Sequence, residues 1–380
     1  MKDKLYETID SLYEEYLTLW KEVCEIESPT RYKEGVDKCS AHFANKALEK
    51  GWKVEVIPFE EAGDVVVITA NADSKLEPIS FSGHLDTVHP LGSFGDTPVK
   101  IDEDKIYGPG VTDCKGGVVS AFLTVDALIK CGYNKRPLQI LLQVDEEHSM
   151  SKKQTIKTIC DRAKNAVAFF NLEGGEYGEV CLQRKGICTY TFTIKGIEAH
   201  SSECATKGAS AIREAAYKIL ELEKFKDADG ITCSCGVING GTVSNTVPGL
   251  CVFRANFRYA SDEQYKEIEK FCSELAKKVF VKGSVTTAER TGFRVAMVDS
   301  EKNRNLYKKV NDILISYGES PLKAVKRLGA SDAADVTSYG IPCLESLGVV
   351  GGKIHSPEEY AELKSLIYSA KQLALISSKL

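Results

Sequence analysis

The residues able to do chemistry come in short clusters, each at the end of an apolar run. Ile79, Ser80, Phe81, Ser82 and Gly83 lead into His84, Leu85 and Asp86. Leu138 to Val144 leads into Asp145, Glu146 and Glu147, and Ala166 to Leu172 leads into Glu173. Between the first two lies Gly108 to Gly117, which carries Asp113, and His355 stands in the later stretch Gly351 to Pro357. Packing does not explain a run of Ile, Leu and Val that stops at His, Asp or Glu, because a desolvated charge is costly unless something compensates it. A cation is the usual compensation for so many acid groups in one place. Mixed imidazole and carboxylate donors suit zinc, with cobalt or manganese as alternatives. One histidine alone is ordinarily a core or surface residue, and one Asp after Gly a turn; it is the ensemble that points to a metal site. Asp102, Glu103 and Asp104 read as a solvated turn, His42 and His89 as non-ligands, and His148 has no assigned role.

The elements that must position these residues alternate between strand and helix. After an N-terminal helix with Leu5, Ile9, Leu12, Tyr16, Leu19 and Val23 on one face, a second helix is expected over Glu34 to Lys50, closed by Gly51. Strands follow at Trp52–Pro58, Asp64–Ala70 and from Ile79, with a loop over Gly92–Val99. A helix is expected over Lys115–Lys130, a strand over Leu138–Val144, a helix over Lys153–Lys164 and a strand over Ala166–Leu172. This is the pattern of an α/β domain with a mostly parallel central sheet flanked by helices, whose sites form beyond the carboxyl ends of the strands. From Arg184 the order becomes strand, helix, strand, strand, helix, strand, ending near Glu289, which is the ferredoxin-like split unit. The expected organisation is therefore a catalytic domain, 1–183 and 293–380, interrupted by an inserted α+β domain, 184–292. The return segment supplies a helix over Asn305–Tyr317, strands near Lys323 and Cys343, and a last helix from Pro357.

At 380 residues the chain exceeds one ordinary core, and 43% hydrophobic with 27% charged residues is the composition of a globular protein. Its 49 basic and 54 acidic residues give a net charge of −5, with no basic cluster, which argues against nucleic acid as a partner. No stretch is apolar enough to span a membrane. The N-terminus lacks the apolar core and cleavage site of a secretory signal, and the expectation is a cytoplasmic protein. Thirteen cysteines without a CxxC pair read as reduced thiols used as small hydrophobes.

Five motifs in order, GHLDTV from Gly83, GPGVTDCKGG from Gly108, DEE from Asp145, Glu173 before two glycines, and His355, resemble a known family over nearly the whole chain. It is that of the dinuclear zinc amidohydrolases: glutamate carboxypeptidase, aminoacylase, acetylornithine deacetylase and succinyl-diaminopimelate desuccinylase. The resemblance implies two divalent ions, one on His84 and Glu173, the other on Glu147 and His355, bridged by Asp113. It implies Asp86 behind His84, Glu146 as general base, a cis peptide at Asp113–Cys114, and an inserted lid or dimerisation domain. The stretch Gly196–Ser201 resembles the family's lid motif, which makes His200 an oxyanion donor that, in dimeric members, reaches the partner subunit's site. Asn245 and Arg258 resemble substrate-binding positions, Arg258 for a carboxylate. Ser331 stands in Gly329–Ala334, where many relatives have Gly-Gly-Ser-Asp-Ala-Asn, so Ala330 and Ala334 depart from the pattern. The implied activity is hydrolysis of an amide bond next to a free carboxylate, in a small peptide or N-acyl amino acid. Glu at position 173 resembles the carboxypeptidase and deacylase branch. The alternatives are a tripeptide aminopeptidase or dipeptidase, and a catalytically silent binding protein.

Overall fold

The sheet that carries the candidate residues has six strands, in the order Lys53–Ile57, Val65–Ala70, Leu138–Gln143, Ile79–His84, Ala168–Asn171 and Cys343–Leu344. The computed structural model describes residues 2–380. Ile79–His84 pairs in parallel with Leu138–Gln143 on one side and Ala168–Asn171 on the other, in a register that sets His84 opposite Gln143 and Ser82 opposite Asn171. Three polar clusters therefore leave the sheet at one edge. The two outermost pairings on the Lys53 side are antiparallel, so the sheet is mixed. The connection from Ile57 to Val65 is only long enough for a hairpin, not for the crossover a parallel pair needs.

Behind this sheet lies Lys115–Lys130, which is buried nearly all round rather than along one stripe. It packs on the sheet and against Tyr13–Glu25 and the terminal helix Leu363–Lys379, and a helix covered on every side is apolar on every side. A side chain at Gly117 would meet the carbonyl of Leu172, so glycine there lets the helix start close against the strand that ends in Glu173. The N-terminal helix is two, Lys2–Ser11 and Tyr13–Glu25, with the predicted apolar face buried throughout. The last helix begins at Leu363, not at Pro357. Pro357 was read as a helix start, but Tyr360–Glu362 instead pairs with Lys105–Tyr107 in a small antiparallel sheet completed by Gly351–Gly352 and Lys100–Asp102. Among the described residues no helix is long and apolar enough to cross a membrane.

The chain divides into two compact units, Met1–Leu182 with Asp299–Lys326 and Ser331–Leu380, and Gln183–Val298 with Arg327–Ala330. The short piece Arg327–Ala330, which the sequence reading left in the catalytic domain, falls in the second unit. That unit has strand order Thr232–Gly240, Leu250–Tyr259, Gly186–Lys195 and Val285–Arg294, all antiparallel. Alternate residues of Gly186–Lys195 are buried, and Phe192 stacks on its cross-strand partner Phe253 at 4.9 Å. The helices Ala211–Leu222 and Asp262–Lys277 cover this face; their first turns are capped by Ser210 and Ser261.

Glu214 and Lys218, both buried, tie this unit together. Their charged ends are 3.0 Å apart. Lys218 donates to the carbonyls of Leu275 and Lys278 at the end of Asp262–Lys277, and Glu214 accepts from the N–H groups of Phe280 and Val281. Removing one partner strands the other charge, so Glu214→Ala is expected to cost about 3–5 kcal/mol. Denaturant titration followed by near-ultraviolet circular dichroism checks this; an unchanged midpoint would show that the pair is not a structural tie.

Candidate metal centre

His84 ends its strand with its ring buried and both nitrogens engaged. Nδ1 lies 2.9 Å from the main-chain carbonyl of Asp86 and 3.5 Å from its Oδ1, so the second ring proton goes first to the carbonyl rather than to the carboxylate. The Asp86 carboxylate instead holds the neighbouring strand end. Its Oδ1 accepts from the Glu146 N–H and its Oδ2 from the Glu147 N–H, each at 3.1 Å, and Thr30 donates to it at 2.7 Å. One buried acid thus fixes the main chain of two others. Asp145, the first of the three acids, accepts from the Ser151 N–H and the Thr155 hydroxyl and so shapes the following loop.

Asp113 lies between two imidazoles. Its Oδ1 is 2.9 Å from His84 Nε2, and its Oδ2 is 3.2 Å from His355 Nε2. His355 Nε2 is also 3.2 Å from Glu147 Oε1, and His84 Nε2 is 3.6 Å from Glu173 Oε1. The peptide bond after Asp113 is cis. The loop that presents Asp113 hangs on Glu359, which is 1% exposed: its carboxylate accepts the N–H groups of Gly110, Thr112 and Asp113, and His89 Nε2 lies 3.1 Å from it. Just beyond, the fully buried Lys115 donates to the carbonyls of Val23 and Ile26 at the end of a neighbouring helix, where a cation is favoured.

The electrostatics show a group of acids short of positive charge. Burial and the Asp113 charge push Glu173 up to about 8, and burial raises Glu147 as well. Burial opposes ionisation of Asp113, but hydrogen bonds from His355 and His84 outweigh it and hold this carboxyl well below the usual range. The same bonds, to Asp113 and Glu147, lift His355 to about 10. Imidazoles held in this way are close partners of the clustered acids. Ligand atoms of His84, Asp113 and Glu147 lie within 4.8 Å of one another. Donors about 2.0–2.1 Å from a tetrahedral ion lie about 3.3 Å from each other, so the separations found here fit an ion among them. Cys114 also lies beside His84 and Glu173, but its thiol donates to the Leu172 carbonyl at 3.2 Å and burial pushes it far above the ordinary thiol range.

The model of peptidase family M20/M25/M40 matches residues 80–379. The chain belongs to this family. Its members are metal-dependent peptidases and amidohydrolases, and so is this protein. It is 26% identical over 299 residues to carboxypeptidase G2 of Pseudomonas sp. (strain RS-16), covering 77% of this chain and 72% of that one. It is 27% identical over 270 residues to a succinyl-diaminopimelate desuccinylase of Shewanella pealeana, covering 65% and 68%. A tripeptidase from Staphylococcus aureus, known from its crystal structure, has the same fold, with a TM-score of 0.79 at 21% identity over 96% of this chain and 98% of that one.

The M20 residues expected in the second unit also have definite places. Ala199–His200 pairs with Thr246–Val247, and the Ser201 N–H donates to the Asn245 carbonyl, so two motifs far apart in sequence meet. His200 is exposed, and its Nδ1 accepts from the Ser202 N–H at 3.3 Å, which leaves the proton of a neutral ring on Nε2. Arg258 and Arg294 lie in register on either side of Ile187. Ser331, in the first unit, is buried; its hydroxyl donates to Glu345 and accepts from the Ala333 N–H, so it shapes the start of the helix Ala333–Ser338 rather than offering itself to solvent.

Sequence reasoning missed Glu359, Thr30 and Lys115, and it set His89 aside without finding its bond to Glu359. Glu359→Ala leaves three N–H groups, two of them buried, without this acceptor and releases the Asp113 loop. Metal affinity is expected to fall about 10–100-fold, as for other groups that orient a ligand. Competition against a chelator measures this, and Glu359→Gln should recover part of the loss. Equal affinity in all three proteins would show that the loop holds its shape without Glu359.

Proposed function

We propose that this M20 protein hydrolyses an amide bond next to a free carboxylate, acting on a small peptide or an N-acyl amino acid as a carboxypeptidase or deacylase does. The observation that carries the reading is Asp113, whose two oxygens face two different imidazoles, an arrangement suited to a carboxylate shared by two ions. His84 and Glu173 would hold one ion, and Glu147 and His355 the other, with zinc the metal that this donor set favours over cobalt or manganese. Bound divalent ions would polarise the scissile carbonyl and acidify a water between them.

The remaining work falls to the chain itself. Asp86 fixes the backbone of Glu146 and Glu147 together, so one carboxylate can serve as a ligand while its neighbour handles protons. Glu146 takes the proton of the attacking water as its oxygen bonds to the carbonyl carbon, then gives it to the nitrogen as the C–N bond breaks. His200, with its proton on Nε2, is the donor proposed for the developing oxyanion. Arg258 is proposed to take the substrate carboxylate, with Asn245 beside His200 as a further contact. A guanidinium fork suits a carboxylate, and Arg258 stands one strand away from Arg294 across Ile187, in a positively charged row that supports this role. The relatives named carboxypeptidase and desuccinylase support the same substrate class.

Glu146→Gln should keep its metal, measured by elemental analysis, while kcat falls about a hundred- to ten-thousandfold. A near-normal rate would remove Glu146 from its role. His200→Ala is expected to lower kcat about a hundredfold or more with the metal content unchanged. A substrate panel tests the specificity: hydrolysis of peptides with a blocked N-terminus but not of those with an amidated C-terminus is expected. The opposite pattern would make this a tripeptide aminopeptidase or dipeptidase.

A further inference from the structure

A cavity of about 550 Å³ in the first unit has a floor that the catalytic reading does not use. The floor is the small antiparallel sheet. Its register puts Lys100, Tyr107, Tyr360 and Gly352 in one cross-strand row, and Lys105 stands two residues from Tyr107 on the same face. The rings of Tyr107 and Tyr360 are 6.1 Å apart, and Lys105 Nζ lies 4.6 Å from the centre of the Tyr360 ring. A third lysine, Lys353, lines the wall but is neutralised by Glu358 at 2.5 Å. Lys100 and Lys105 form no ion pair among the described residues. Of the acids in register with Lys105, Glu362 is bonded to Tyr177 and Lys364, and neither it nor Asp102 lines the cavity.

Two tyrosine rings tilted by 46° and two ammonium groups that form no ion pair among the described residues make a site of definite chemistry, with Asp102 and Glu362 beside Lys105 in register but outside the cavity lining. We propose that this cavity binds an organic anion with a flat, unsaturated body, its ring lying on Tyr107 and Tyr360 and its acid group between Lys100 and Lys105. Both walls of the cavity are continuous with segments that belong to, or support, the candidate metal centre. One wall is the segment from Lys353 to Glu358 that contains His355, with Lys353 and His355 both in the left-handed region, at φ 54° and 61°. The other includes Phe94, packed edge-on against His89 at 4.9 Å, and His89 bonds the Glu359 that holds the Asp113 loop. The anion is either the acidic end of a substrate or a separate effector.

Naphthalene-2-sulfonate, a flat anion and a poor metal ligand, is the probe, titrated calorimetrically into the metal-loaded full-length protein. Binding is expected, about tenfold or more weaker in the double variant Lys100→Met with Lys105→Met, and several-fold weaker in Tyr107→Leu. The neutral naphthalene-2-sulfonamide should bind at least about tenfold less well than the sulfonate. Circular dichroism on each variant guards against misfolding. Equal affinity in the double variant, equal binding of the sulfonamide, or no binding of either probe would each overturn the proposal. These titrations read binding alone and stand apart from the assignment of Glu146 or of substrate. Where the sulfonate also raises KM without changing kcat, and the double variant abolishes that effect, the anion is the substrate's acidic end; binding without a change in KM makes it a separate effector.

Discussion

The Asp113 carboxylate can face two imidazoles at once only because its main chain is held from behind. Glu359 accepts the N–H groups of Gly110, Thr112 and Asp113, and the loop has no regular secondary structure that could satisfy them otherwise. Buried donors of this kind are costly to leave unpaired, so the carboxylate decides the shape of the loop as much as the loop's own sequence does. Asp86 does the equivalent for Glu146 and Glu147. In both places an acid that is not a proposed ligand fixes the backbone of acids that are proposed to bind metal or carry the proton. The candidate centre is a layer of carboxylates aimed inward, supported by a second layer that is consumed by backbone N–H groups.

This construction makes the fold and the centre depend on each other. Like charges gathered at one sheet edge oppose folding, and the imidazoles of His84 and His355 offset part of that by bonding to Asp113. A divalent cation would offset more. Lys115 works in the opposite sense: it is a buried cation close behind the acids, neutralised by the carbonyls that end the helix Tyr13–Glu25. The parallel register of Ile79–His84 with both neighbours is what makes the acids converge, so a slip of one residue in either pairing would turn His84 or Glu173 away from the others.

Much of this was legible in the sequence because it is carried by local pattern. The apolar runs ending in His84, Asp145 and Glu173 mark strand ends, and the strand–helix alternation marks a sheet whose strand ends share an edge. The change of order after Arg184 marks the split unit. What was not legible came from pairings between distant segments. Glu359 follows Pro357, and a proline followed by acids is an ordinary helix start. Only the pairing of Tyr360–Glu362 with Lys105–Tyr107 turns that segment into a strand and brings Glu359 to the Asp113 loop. Ser331 was read through its motif as a substrate contact; its bond to the buried Glu345 depends on tertiary packing, which the motif does not show. Likewise the antiparallel edge of the main sheet follows from the length of a connection, which the alternation of strands and helices does not show.

The metal centre and the substrate preference rest on different parts of the molecule, and this explains why the first follows from sequence more readily than the second. A shared carboxylate, two imidazoles and an adjacent acid would activate water for any amide presented to them. Discrimination must come from groups that touch the rest of the substrate. A buried or paired polar group loses several-fold to many-fold in affinity when its partner is absent, whereas an apolar wall rejects little, so charged contacts are where selectivity is strongest. The charged groups proposed for such contacts are Arg258 in the second unit and, independently, Lys100 and Lys105 beside two tyrosines in the first. Both are cationic, and so both favour an acidic partner.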